Sequence, residues 1–342
     1  MSPLKKRYDG SRLPAECRSL SADGRDTFFP NLGVNAMTRC VLLTLLFCFA
    51  STNFLSADEP FTRREDVIYG RKFGTALTLD VFTPKDKPNR AAVIWVVSGG
   101  WFSDHSAINA GFVTPFLQKG YTVFAVVHGS QPRFTIPEAI SDLQRSIRFI
   151  RSKADEFQID PNRIGIIGAS AGGHLSLMMG TNGQQENKDA KDPVDRQSSR
   201  VQAVACFFPP TDFLNWGEPG VVALGTGPLA WLPAPFDFVE SDAKTKRFER
   251  IADEEKLKKI GREISPITHV SADDPPMLII HGDKDKIVPI QQANIFIDKL
   301  KEAKIPCELV LRPGADHGWA TLGQDLNLFA DWFDKHLAAK KE

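Results

Sequence analysis

The chain has 342 residues, enough for one large domain or two ordinary ones. Hydrophobic residues make up 42% and charged residues 25%, the balance of a globular protein with a sizeable core. Its 42 Lys/Arg offset its 42 Asp/Glu, so no basic or acidic field points to a nucleic-acid or anionic-membrane partner.

Arg39 precedes an apolar run from Cys40 to Ala50, and Leu55-Ser56-Ala57 then supplies small residues. This order of n-region, h-region and cleavage site predicts a signal peptide over about 37–57, with Met37 as a natural start and 1–36 as a polar extension. The run is too short to span a bilayer comfortably, so no stable membrane span is expected after cleavage. Cys48 lies among apolar residues that do not suit lipid attachment. The expected product is an exported domain, 58–342, periplasmic or extracellular. It keeps two cysteines, Cys206 and Cys307. A predicted strand at Met277–Ile280 falls between theirs, and strands two apart stand roughly 10 Å from each other. That is too far for a disulfide, and two buried free thiols are expected.

Val67 to Phe82 alternates apolar and polar residues around Gly70 and Gly74, which predicts an antiparallel hairpin. Ala92–Val97, Tyr121–Val127, Ile164–Ile167, Val201–Phe207, Met277–Ile280 and Glu308–Leu311 are short apolar runs, as buried strands require. Pro137 opens a helical pattern over Glu138–Phe157 with Ile140, Leu143, Ile147 and Ile150 on one face. Gln291–Ala303 and Gln324–Ala339 repeat that period. The alternation predicts a mostly parallel α/β sheet of about eight strands flanked by helices, with sites at the strands' carboxyl ends. Residues 209–267 are too long for a simple crossover. They read as a cap insertion carrying Phe213, Trp216, Trp231, Phe236 and Phe238, with a charged helix near Ala252–Ile260. The charge run Lys244–Lys259 reads as a solvated helix face.

Gly168-Ala169-Ser170-Ala171-Gly172 lies between the strand Ile164–Ile167 and a helical stretch from Gly173. A serine between glycines at a strand-to-helix turn is the layout of a nucleophile elbow. A serine hydroxyl needs a base, and the base needs a group that fixes its tautomer. His281 to Pro289, with Asp283 and Asp285, follows one strand; Gly314 to Trp319, with Asp316 and His317, follows the last. The chain order is therefore Ser, Asp, His. Asp316 adjoins His317 in the chain, where side chains of neighbours point apart, and Asp283 has the place of a loop brace. His281 ends a strand where it would brace the following turn, and His174 starts the helix after the elbow. His105, His128, His269 and His336 have no partner that the sequence names.

From about Thr62 onward the chain resembles the α/β-hydrolase superfamily, in the carboxylesterase/lipase branch that includes acetylxylan and feruloyl esterases. The resemblance rests on Asp160-Pro-Asn-Arg163, Gly168 to Gly173, Ser265-Pro-Ile-Thr268, Pro275-Pro276, His281-Gly282 with Asp285 and Val288-Pro289, and His317-Gly318-Trp319. It implies Ser170 as nucleophile, His317 as general base and acid, and Asp285 as the orienting acid. Its oxyanion hole would combine the N–H of Ala171 with donors at Gly99 and Gly100. Val97-Ser98-Gly99-Gly100-Trp101 looks like the family's His-Gly-Gly-Gly-Trp, with Val97 in place of the histidine and Ser98 in place of the first glycine. Trp101, Phe213 and Trp216 are the expected pocket aromatics.

No His-Glu-x-x-His, paired Cys-x-x-Cys, Walker A run or dinucleotide fingerprint occurs in the sequence, so no metal and no cofactor are expected. The resulting expectation is an exported serine esterase that acts through an acyl-enzyme on a small-molecule or carbohydrate ester, with polysaccharide deacetylation or deferuloylation as its use. A prolyl-oligopeptidase-like peptidase and a catalytically inactive binding relative stay open as alternatives. The oligomeric state is not legible.

Overall fold

A strand that is apolar on both sides demands helices above and below it. The computed structural model, which describes residues 59–339, meets that demand with one eight-stranded sheet. The expected signal peptide and polar extension lie outside the described residues.

The described chain enters as a hairpin of β1 (Phe61–Lys72) and β2 (Thr75–Pro84). Phe73 and Gly74 at its tip have φ of 45° and 74°, a two-residue turn whose twist matches the strands. The hairpin is longer than the alternation predicts because two irregularities, one beside Gly70, reset the inward-facing register. There follow β3 (Ala92–Val96), α1 (Ala110–Gln118), β4 (Thr122–Val126), α2 (Ile136–Ser152), α3 (Ala154–Phe157), β5 (Ile164–Ala169), α4 (Ala171–Thr181) and β6 (Ala203–Phe207). A separate small hairpin, β7 (Val239–Ser241) and β8 (Phe248–Arg250), leads to α5 (Glu254–Glu263). The chain then returns to the sheet through β9 (Met277–Gly282), α6 (Gln291–Glu302), β10 (Cys307–Arg312) and α7 (Leu322–His336).

The sheet order is β1-β2-β4-β3-β5-β6-β9-β10. Strand β2 runs antiparallel to β1 and β4, and the remaining neighbours are parallel. Successive side chains of β5 serve opposite layers. Ile166 joins Ile140 and Leu143 of α2, Leu175 of α4 and Phe296 of α6, all buried. Ile167 joins Val113 and Phe116 of α1 and Phe329 and Phe333 of α7.

Four expectations are corrected. The helix expected over Glu138–Phe157 is two helices, broken at Lys153 and ended by Gln158 at φ 55°. Helix α1 was not anticipated, because Pro115 inside it removes a hydrogen-bond donor; burial of Val113, Phe116 and Leu117 sustains it. Cys307 is half-buried, since β10 is an edge strand; Cys206 is buried, and both thiols are free. The charge run from Lys244 is not one helix face: residues 244–247 lie in the turn before β8, β8 follows, and α5 takes the later part.

Residues 208–276 run between β6 and β9, and their aromatics pack onto Trp101 in the loop after β3. Ring centroids lie 5.8 Å apart for Trp101–Phe213, 5.3 Å for Trp101–Phe236 and 6.0 Å for Phe213–Trp216. His174 of α4 fastens this contact. Its Nδ1 accepts from Trp101 Nε1–H at 3.1 Å, and its Nε2–H donates to the Ile264 carbonyl at 2.7 Å.

Burial pushes His174 from its ordinary value of 6.5 down to about 4, only partly opposed by its bond to Ile264. The unfolded chain therefore binds a proton between these pH values that the folded chain refuses. Stability rises with pH across that window and is lost as pH falls from 6.5 toward 4. The contribution of His174 is on the order of 3 kcal/mol. Urea denaturation at about pH 7 and about pH 4.5 measures it. His174→Gln should lose clearly less stability between the two conditions than the wild type; an equal loss would show that His174 is not the group responsible.

Candidate active site

Ser170 is the single residue between β5 and α4, at φ 53° and ψ −118°. A non-glycine residue in such a conformation carries about 1–3 kcal/mol of strain and persists only where its surroundings over-determine it. Here the Ser170 N–H donates to Phe207 O at 3.0 Å, and the His174 N–H donates to Ser170 O at 2.9 Å. The flanking glycines are needed for space. A Cβ at Gly168 would stand 2.3 Å from the carbonyl carbon of Gly172, and one at Gly172 would stand 2.8 Å from Val96 O.

The loops after β9 and β10 bring two partners to Ser170. His317 Nε2 lies 2.9 Å from Ser170 Oγ, and His317 Nδ1 lies 2.7 Å from Asp285 Oδ2. A carboxylate only accepts, so Nδ1 carries the proton and Nε2 is left to accept from the serine hydroxyl. The other oxygen of Asp285 accepts from the N–H groups of Ile287 and Val288, both at 2.9 Å. Burial pushes the Asp285 carboxyl up. Hydrogen bonds from His281 and His317, the His317 charge and the Val288 N–H outweigh it and hold the group well below the usual carboxylate range.

Of the three candidate aspartates only Asp285 touches the imidazole. Asp283 accepts from the Gly314 N–H at 2.7 Å and ties the two loops together. Asp316 accepts from the N–H groups of Lys286 and His317, each at 2.9 Å. His281 is fully buried; its Nε2 lies 2.9 Å from Val288 O and 3.3 Å from Asp285 Oδ2, so it braces the Asp285 loop. Phe208 was missed at the sequence level. Its backbone sits at φ 35°, and its ring packs 4.4 Å from that of His317. Nothing in the sequence distinguishes it from any other large residue at a strand end.

Gly99, Gly100, Trp101 and Phe102 form a tight reversal after β3. Gly99 and Phe102 exchange two backbone hydrogen bonds, each 2.9 Å. The Gly99 N–H is therefore consumed by its own turn, which corrects its expected place as an oxyanion donor. Among the described residues the N–H groups of Gly100 and Ala171 have no protein partner; Ala171 is the first residue of α4, where orphan donors are the rule.

A cavity of about 380 Å³ opens onto Ser170 and His317. Ser98, Gly99, Gly100, Trp101 and Trp216 line it, joined by Leu229, Trp231, Leu232 and Ile287. Phe213 is corrected: it is fully buried behind the wall, packed on Trp101 and His174, and does not reach the cavity. The chamber is mostly apolar, and Trp231 stands 65% exposed at it. The Pro-rich run from Pro228 to Pro235, which sets Trp231 beside the cavity, is the signal that could have pointed to it.

One other cluster among the described residues has metal-ligand spacing, Asp66, Asp80 and His105. Arg63 covers the buried Asp80 at 2.6 Å, and Asp80 also takes the Asp66 N–H and His105, so its oxygens are spoken for.

The chain is similar to Esterase LipC of Mycobacterium tuberculosis, 29% identical over 266 residues, which is 77% of this chain and 61% of that protein. It is also similar to the acetylxylan esterase of Xylanibacter ruminicola, 24% identical over 75% of this chain and 44% of that protein. The chain thus spans about 60% or less of the length of these curated relatives. A solved truncated carbohydrate esterase from gut microbiota superimposes with a TM-score of 0.64 at 26% identity, covering 83% of this chain and 99% of that one. The model of the dienelactone hydrolase family matches residues 261–342. The BD-FAE model matches residues 79–300, well over half of the sequence, and this chain, with its α/β-hydrolase fold, belongs to the BD-FAE family.

Proposed function

We propose that this protein hydrolyses carboxylic esters in two steps through an acyl-enzyme on Ser170. The observation that carries this reading is the unbroken line from Asp285 Oδ2 through His317 to Ser170 Oγ, with spacings of 2.7 and 2.9 Å, at the mouth of an apolar cavity. Names of the similar proteins support the ester, and two of them, an acetylxylan esterase and a carbohydrate esterase, favour an acetyl group carried on a sugar. Export through the apolar segment Cys40–Ala50 belongs to the same proposal, and N-terminal sequencing of the secreted protein should begin at Asp58.

Ser170 Oγ attacks the ester carbonyl while its proton passes to His317 Nε2. The imidazolium so formed is held by the ionised Asp285. The negative oxygen of the tetrahedral intermediate faces the N–H groups of Ala171 and Gly100, each such donor being worth about 3 kcal/mol in the transition state. His317 then hands the proton to the departing alcohol, and a water activated by His317 releases the acid.

Ser170→Ala should abolish p-nitrophenyl acetate turnover and fluorophosphonate labelling while circular dichroism shows a folded chain; retained turnover would contradict the reading. Asp285→Asn keeps the side chain's shape but deprives the imidazole of its tautomer-fixing partner. It should lower kcat by about 10³- to 10⁴-fold, and a loss below tenfold would exclude this role. Trp231→Ala tests the sugar-ester reading. Stacking on an exposed ring contributes about 0.5–1.5 kcal/mol, so the ratio of kcat/KM for acetylated xylo-oligosaccharide over p-nitrophenyl acetate should fall about two- to tenfold. An unchanged ratio would remove Trp231 from substrate recognition.

A further inference from the structure

The loop that offers the Gly100 N–H turns back on itself within four residues, Gly99 to Phe102. Gly100 and Trp101 have consecutive positive φ values, 54° and 57°, and for Trp101 that conformation is strained. On one side the turn is held by Trp101 Nε1–H on His174. On the other it is lashed to the loop that follows β4. Ser98 Oγ lies 2.9 Å from His128 Nε2, and His128 Nδ1 lies 2.8 Å from Gly129 O. The His128 N–H donates to Ser103 Oγ at 3.1 Å, and Ser103 Oγ–H donates to Val97 O at 2.6 Å. The Ser103 N–H reaches Ser130 Oγ at 3.0 Å. The Gly129 N–H in turn is fixed by Asp142 Oδ2 at 2.8 Å, itself paired with Lys72.

The proton count along this chain has one solution. Gly129 O accepts only, so His128 carries its proton on Nδ1; Nε2 is bare, and the Ser98 hydroxyl donates to it. His128 is buried, and burial holds it down to about 4, which keeps it neutral and accepting at neutral pH. Ser98 and His128 are thus a matched donor and acceptor across two loops. Each would leave a buried or half-buried polar atom orphaned without the other.

We infer that His128 is a positioning residue for ester hydrolysis: through Ser98 it sets the 97–103 loop so that the Gly100 N–H meets the oxyanion formed at Ser170. The inference rests on the acyl-enzyme reading above. The donor acts on charge present only in the transition state, so displacing it lowers kcat and leaves KM nearly alone.

The test compares Ser98→Ala, His128→Phe and His128→Gln with the wild type on p-nitrophenyl acetate, with Tm measured for each. Ser98→Ala and His128→Phe should lower kcat by about 10- to 100-fold, at most the loss expected for an absent donor, with KM within about twofold. The double variant should be no worse than the worse single one. His128→Gln, which still offers an accepting oxygen and a donating N–H, should recover most of kcat. Should His128→Phe fail to fold, Ser98→Ala decides, because Ser98 is only half-buried and the change removes a single oxygen atom. An unchanged kcat in Ser98→Ala, or a loss in His128→Phe that His128→Gln does not relieve, would overturn the inference. Fluorophosphonate labelling of the wild type reports on Ser170 separately: a wild type that does not label sinks the acyl-enzyme reading, whereas one that labels beside a fully active Ser98→Ala sinks only the role of His128.

Discussion

The backbone of Ser170 is the constraint from which the rest of the site follows. Holding a serine at φ 53° between a strand and a helix requires that α4 start at once and pass close over β3 and β6. That passage leaves no room for side chains at Gly168 and Gly172. In return the hydroxyl stands at the carboxyl ends of the parallel strands, where the loops after β3, β9 and β10 all arrive. The first turn of α4, with its orphan N–H groups, begins at the next residue. Strain, glycine placement and donor geometry are therefore one feature of the chain, described at three levels.

Three histidines around this point show how surroundings divide one side chain into different jobs. His317 lies at the cavity, with a carboxylate on one nitrogen and a hydroxyl on the other, a pairing suited to moving a proton. His174 and His128 are buried, each with a backbone carbonyl at one nitrogen and an incoming donor at the other. Burial holds both near 4, so they keep one tautomer and serve as fixed struts. One strut joins the loop after β3 to residues 208–276, and the other joins it to the loop after β4.

Much of this was legible before any coordinates. Short apolar runs separated by amphipathic helices have few stable arrangements, and the residue types at the ends of those runs name the chemistry. Ser170, Asp285 and His317 fall into that class, because each sits just past a strand. What escaped was whatever depends on contacts distant in sequence. Helix α1 is hidden by Pro115 and exists through the burial of its apolar face. Gly99 looked like a donor, but its N–H closes its own turn. Phe213 looked like a pocket wall, yet Trp101 stands in front of it. His128 had no partner in the sequence, since Ser98 lies 30 positions away on another loop.

The proposed hydrolysis requires that the hydroxyl of Ser170 become covalently acylated. Acid quenching during turnover of a slowly hydrolysed ester, followed by intact-mass and peptide mass spectrometry, tests it most directly. One acyl adduct per chain is expected, confined to the peptide that contains Ser170 and lost on chasing with buffer. Turnover without an adduct, or an adduct on another residue, would contradict it.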